Sequence, residues 1–107
     1  MTLFRKQGLA DTSKSEERLV TALHLLGDRT RYRIFKLLLH DREMCVSDIA
    51  AELEITVSAV SQHFRSFEMV GLVGKQRTGQ KICYLLNRDD ELVRELVSII
   101  QKGNKIH

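Results

Sequence analysis

The sequence predicts a mainly α-helical fold carrying one small β-wing, in the order α-α-β-α-α-β-β-α. Three observations predict it. Apolar residues recur at helical spacing in five separate stretches. One strand–glycine–strand pattern, Val73–Arg77, Thr78-Gly79 and Gln80–Leu86, reads as a β-hairpin. The 107 residues include no proline, which suits helices joined by short connections.

The elements follow in chain order. Residues 1–12 show no period and are expected to form a flexible N-terminal arm, with Leu3, Phe4 and Leu9 able to dock. Ser13-Lys14-Ser15-Glu16 has the form of a capping box, opening a helix that runs to about Leu26. Its expected inner face is Leu19, Ala22, Leu23 and Leu26, widened by Val20 and Leu25. Gly27 stops it and Asp28 caps the next helix, Arg29 to about His40, whose core residues are Ile34, Phe35, Leu37 and Leu38. Asp41-Arg42-Glu43 is a polar turn, and Met44-Cys45-Val46 a short strand. Ser47 is expected to cap a short helix with Ile49, Ala50 and Leu53 inside. After a break at Glu54-Ile55-Thr56, a helix capped by Thr56 buries Val60, Phe64, Phe67 and Met69–Val70, and Gly71 ends it in a left-handed conformation. Beyond the hairpin, Asn87 is expected to cap a last helix with Asp89, Asp90 and Glu91 in its first turn. Its stripe is Leu92, Leu96, Ile99 and Ile100 with Val93 and Val97 beside it, and Gly103 ends it. The expected domain therefore covers 13–103, with 104–107 as a tail.

Composition narrows the function. One domain of this length gains from an extra interface. The net charge of +3 and pI ≈ 9.1 permit nucleic acid as a partner. No apolar run has the length of a membrane span and the N-terminus lacks a signal-peptide core, so a cytoplasmic protein without membrane contact is expected. Two cysteines are too few for a disulfide scaffold and fit a reducing cytosol. No catalytic constellation stands out, and no enzyme is expected: Ser61 and His63 lie two apart on a helix and face different ways. No Gly-rich phosphate loop and no metal-hydrolase motif is present. His24 sits among leucines, at a packed position or a dimer contact; His63 suits packing or a phosphate contact; His40 and His107 suit solvent.

The outer face of the second helix of the pair carries the functional signal. Its start offers Val57, Ser58, Ala59, Ser61 and Gln62, then Arg65 a turn later. Small residues allow close approach to a DNA major groove, hydroxyl and amide groups read base edges, and cations hold phosphate. Between Thr56 and Lys81 the cations Arg65, Lys75, Arg77 and Lys81 face the single acid Glu68. Expected DNA contacts are Thr56, Ser58, Ala59, Ser61, Gln62 and Arg65 on the helix, and Lys75, Arg77, Gln80 and Lys81 on the hairpin. An ordinary solvated helix and a charged sheet edge that blocks edge-to-edge pairing are the plainer readings of the same residues. A protein-interaction module without sequence-specific DNA binding is the alternative; it would call for an apolar or acidic helix face, which Ser58, Ser61, Gln62 and Arg65 do not supply.

The element order is that of a winged helix-turn-helix, and four stretches resemble the ArsR/SmtB-type family of small dimeric regulators. Ala22-Leu23 with Leu26-Gly27-Asp28-Arg29-Thr30-Arg31 resembles its "ALGDPTR", and Met44–Ala50 its "LCVCDLA". Ser58–Phe64 resembles "STVSHHL", and Gly71-Leu72-Val73 with Gly79, Tyr84 and Leu86 resembles "GLV…G…YYxL". The resemblance covers about Arg18 to Leu86. It implies a homodimer bound to double-stranded operator DNA, most often as a repressor, released by a metal or metalloid ion or an oxidant. The chain departs from the family at both inherited metal sites. Ser47 stands where the second cysteine of the thiolate site belongs, and Glu91 and Leu92 stand where a histidine ligand would follow Asp89 and Asp90. Arg29 replaces a proline at the first helical position, where proline is favoured but not required. No cofactor is therefore assigned; a soft metal or metalloid ion stays compatible with the remaining thiols.

Two expectations complete the reading. Apolar surplus on the first and last helices, namely Leu19, Val20, Leu23 and Leu26 with Leu92, Val93, Leu96, Ile99 and Ile100, predicts a symmetric dimer. Cys45 and Cys83 are expected on neighbouring antiparallel strands, both pointing outward on one sheet face. They are either two unrelated small side chains or a thiol sensor able to bridge.

Overall fold

The structure, a computed structural model, describes residues 14–106; the readings made for 1–12 and for the Ser13 cap lie outside them. Helix α1 (Lys14–Leu26) and α2 (Arg29–His40) lead into β1 (Met44–Cys45). Helices α3 (Val46–Leu53) and α4 (Val57–Met69) form the tight pair, β2 (Val73–Thr78) and β3 (Lys81–Leu86) the wing, and α5 (Glu91–Ile106) closes the order. The sheet is antiparallel, with strand order β1-β3-β2.

Local chemistry accounts for most boundaries. Asp28 caps α2, its carboxylate accepting from the Arg31 amide at 3.0 Å. That same amide bond holds the Asp28 carboxyl below the usual range. Thr56 caps α4, its hydroxyl accepting from the Ala59 amide at 3.0 Å. The turn between α3 and α4 is made by Glu54, left-handed at φ 57°. Gly71 at φ 70° turns the chain out of α4, and Gly79 at φ 65° opens the wing turn, conformations that cost a side-chain-bearing residue about 1–2 kcal/mol.

The structure corrects several expected details. The cap of α3 is Cys45, without a side-chain bond, rather than Ser47, because the helix starts at Val46, directly after β1. The cap of α5 is Asp90, whose Oδ1 accepts from Leu92 at 2.9 Å and Val93 at 3.3 Å. Asn87 instead donates to the Gly71 and Val73 carbonyls, at 2.7 and 3.4 Å, closing the wing root. Gly103 does not end α5, which continues to Ile106. Met69 is not part of the buried stripe but 85% exposed. On α1 the inner residues are Ala22 and Leu25, whereas Leu19 and Leu23 face out, so the helix is rotated from the expected orientation. His24 is exposed rather than packed.

The core lies where α2, α4 and the sheet meet. Ile34, Phe35, Leu38, Ile49, Val60, Phe64, Phe67 and Leu72 are fully buried. Phe67 meets Phe35 and Phe64 edge-on, each with ring centroids 6.2 Å apart. Arg18 fastens α1 across this core. It donates to the Val70 carbonyl at 2.7 Å, at the carbonyl end of α4, and pairs with Asp90 at 2.8 Å, at the amide end of α5. The bonds from Arg18 hold the Asp90 carboxyl below its usual range. Arg88 donates to the Leu38 and Leu39 carbonyls at 3.3 and 3.1 Å, satisfying the exposed end of α2.

Candidate nucleic-acid interface

The amphipathic sequence of α4 divides its two faces. Val60, Phe64 and Phe67 lock it into the core, and this leaves Ser58, Gln62 and Arg65 exposed, with Ser61 half-buried between them. The wing folds back beside the same helix. A cleft of about 460 Å³ runs between them, lined by Val57, Ser61 and Arg65 on α4 and by Lys75, Gln80 and Lys81 on the wing. Gln62 lies on the other flank of α4, in a shallow concavity with Arg31, His63 and Arg65. Arg65 thus borders both flanks. Arg77 projects from β2 opposite Ile82, exposed, outside the cleft. Thr56 is exposed at the helix start, Ser58 beside it, and Ala59 is half-buried.

The wing is fixed to α4 by Tyr84. Its ring stacks on Phe64, with centroids 3.9 Å apart and planes 6° from parallel. Its hydroxyl donates to Glu68 at 3.3 Å, and Lys75 approaches the same carboxylate at 4.0 Å. Burial, then the neighbouring Glu68 charge, pushes the Tyr84 phenol up. Glu68 lines the cleft against Arg65, Lys75 and Lys81, so the cleft is net cationic. Burial first, and then the charge of Arg31, keeps the His63 imidazole below its usual value.

Sequence reasoning missed Arg31 and Tyr84. Arg31 reaches the concavity beside Gln62 while its Nε donates to the Leu25 carbonyl at 2.7 Å. Its signal was only a cation on a helix already rich in them. Strand alternation places Tyr84 inward, but nothing local shows that its ring stacks on Phe64.

Cys45 and Cys83 face each other across β1 and β3 in register, their Cα atoms 3.7 Å apart, and are joined by a disulfide. One expectation is corrected here: Cys83 does not point to an open face but is 1% exposed, on the central strand between β1 and β2 and bonded to Cys45. Cys45 is half-exposed and lines the cleft. Among the described residues, no three His, Cys, Asp or Glu side chains gather as a metal site. Ser47 is exposed on the first turn of α3, and the sulfurs of Cys45 and Cys83 are spent on each other. These donors do not make a multi-thiolate centre.

A helix pair whose second member presents a polar face beside a cationic two-stranded wing defines a winged helix-turn-helix protein. Residues 28–75 match the model for "Bacterial regulatory protein, arsR family". It is similar to the cadmium resistance transcriptional regulatory protein CadC of Listeria innocua, 32% identical over 62 residues, 58% of this chain and 52% of that protein. It is also similar to the HTH-type transcriptional regulator KmtR of Mycobacterium tuberculosis, 37% identical over 78 residues, 73% of this chain and 58% of that protein. Among solved structures, HlyU from Vibrio cholerae superposes with a TM-score of 0.74 at 27% identity, covering 84% of this chain and 95% of that one. The chain spans about half the length of the first curated relatives it matches, 52% in each case. These relatives are named as regulators, none as an enzyme. No helix among the described residues is long and apolar enough to cross a membrane.

Proposed function

We propose that this chain is a sequence-specific DNA-binding transcriptional regulator that acts as a homodimer. One observation carries this reading: α4 and the wing bring Ser61, Arg65, Lys75, Gln80 and Lys81 around a single cleft, with Gln62 on the adjacent flank. In this reading α4 enters the major groove, Ser58, Ala59, Ser61 and Gln62 meet bases or nearby phosphates with Thr56 at the helix start, and Arg65 holds phosphate. Lys75, Arg77, Gln80 and Lys81 reach the backbone or minor groove. Repression is the proposed mode, in keeping with a relative named as the transcriptional repressor SmtB homolog of Synechocystis, 33% identical over 81 residues. HlyU of Vibrio cholerae, by contrast, is named an activator, so a promoter–reporter assay decides the sign.

Selection from a random duplex pool, followed by salt titration, tests the reading. Gln62→Ala should relax preference at one position by about 1–3 kcal/mol, the worth of a bidentate base contact. Arg77→Ala should weaken all duplexes alike and flatten the salt slope by roughly one unit. Recovery of no preferred duplex, with salt-insensitive affinity, would favour the protein-interaction alternative.

The dimer follows from surface left uncovered. Leu19, Val20, Leu23 and Ile99 are 40, 61, 51 and 61% exposed. Leu19 and Leu92 border one concavity where α1 meets the start of α5, beside Arg18 and Asp90, so the two helices lie side by side there. Val93, Leu96 and Ile100 are instead buried in the chain's own core, so the contact rests on the first group with Leu26 and Leu92. Two-fold pairing sets the two reading helices roughly 34 Å apart on a palindrome. Leu23→Glu should convert the dimer to monomer in light scattering at micromolar concentration; a wild-type chain already monomeric there would defeat the assignment.

A further inference from the structure

We propose that Cys45 and Cys83 form a peroxide-responsive dithiol whose reversible disulfide locks the wing to the helix pair and thereby sets operator affinity. The inference rests on the DNA-binding reading and deepens it.

Position is the first argument. The bridge spans a sequence separation of 38, and all ten residues assigned to DNA, from Thr56 to Lys81, lie inside the loop it closes. Cys45 immediately precedes α3, and Cys83 immediately precedes Tyr84, the residue that stacks on the α4 ring of Phe64. The bond therefore joins the two ends of the reading unit at the points where it is attached to the rest of the fold. The second argument is the weakness of the junction without it. β1 is two residues long, and its ladder to β3 consists of Met44 opposite Tyr84 and Cys45 opposite Cys83. A covalent link changes such a junction far more than it would a long strand pair. Access is the third. Cys45 borders the cleft while Cys83 is buried, so a small oxidant meets one sulfur first and the other is held in register behind it.

The chemistry balances with a hydroperoxide as oxidant. The Cys45 thiolate attacks the peroxide O–O bond, giving a sulfenic acid and releasing an alcohol, or water from hydrogen peroxide. The Cys83 sulfur then attacks the Cys45 sulfur; the S–S bond forms, the S–O bond breaks, and the hydroxyl leaves with the thiol proton as water. Two electrons pass from the sulfur pair to the peroxide. A low-molecular-weight dithiol reverses the step by exchange. The two redox states differ in how freely the wing moves relative to α4, and a ligand that contacts both elements distinguishes them.

The test uses the whole chain, its selected duplex and hydrogen peroxide. Reduced wild type, peroxide-treated wild type, Cys45→Ser and Cys83→Ser are compared for affinity, intact mass and far-UV circular dichroism. The expected result is loss of two hydrogens in peroxide-treated wild type alone, with a change in operator affinity of threefold or more that dithiothreitol reverses and both serine variants lack. Equal affinity with the disulfide formed overturns the switch and leaves the DNA reading standing. Peroxide that forms no bridge, or a reduced protein that loses its helical signal, also overturns the switch. Failure of every sample to select a duplex overturns the DNA reading itself.

Discussion

Reduction of the Cys45–Cys83 bridge should lower the free energy of unfolding by about 4 kcal/mol, the chain-entropy value for a closed loop of this length. The separation of 38 residues encloses α3, α4 and β2 completely. In the unfolded chain this third of the sequence is tethered at both ends, and reduction frees it. The reduced chain still folds, because Val46 is buried in the core and Met44 packs against it, but its two-residue junction of β1 with β3 is looser. Urea titrations of oxidised and reduced protein at equal protomer concentration measure the difference, because a dimer's stability varies with concentration. Cys45→Ser should match reduced wild type and be indifferent to dithiothreitol. A difference below about 1 kcal/mol would mean that the reduced unfolded state keeps this region together without the bond.

The helical order and the wing were legible because their signals are local. Asp28 and Thr56 as caps, Gly71 as a left-handed exit and the alternation of Tyr84 and Leu86 all act within a few residues of themselves. The pairing of β1 with β3 was legible for a different reason: once the order of elements is that of a winged helix, strand alternation leaves few registers. What escaped is long-range. Arg18 looks like any cation on a surface helix, yet its partners are Val70, Gly71 and Asp90, over fifty residues away. The rotation of α1 escaped because Leu19, Leu23, Leu25 and Leu26 fit two overlapping faces equally well, and only the packing of α2 and α4 chooses Ala22 and Leu25. The cap of α5 moved from Asn87 to Asp90 because Asn87 was needed at the wing root, where Gly71 and Val73 leave carbonyls to satisfy. The ten residues assigned to DNA share a region, but Ser61, Arg65, Lys75, Gln80 and Lys81 line the cleft, Gln62 lies on the other flank, and Thr56, Ser58, Ala59 and Arg77 line neither, a distinction the linear sequence does not carry.

Phe64→Ala should cost about 3–5 kcal/mol of stability, the range for deleting a fully buried phenylalanine ring. Phe64 is 0% exposed, stacked on Tyr84 at 3.9 Å and set edge-on to Phe67 at 6.2 Å, so no neighbour is free to fill the void. The loss includes the ring pairs themselves, worth about 0.5–1.5 kcal/mol each beyond area. Its neighbours on the same helix predict the opposite. Gln62 and Arg65 are exposed, so Gln62→Ala should leave stability within about 0.5 kcal/mol. Tyr84→Phe keeps the stack and removes one partly buried hydroxyl contact to Glu68, so about 1 kcal/mol is expected. Urea unfolding of the three variants should therefore separate the faces of α4: one side holds the wing against the helix, and the other can change without loss of fold. If Phe64→Ala and Gln62→Ala shift unfolding equally, the stack of Phe64 on Tyr84 is not what fixes the wing to α4, and the cleft between them has another support.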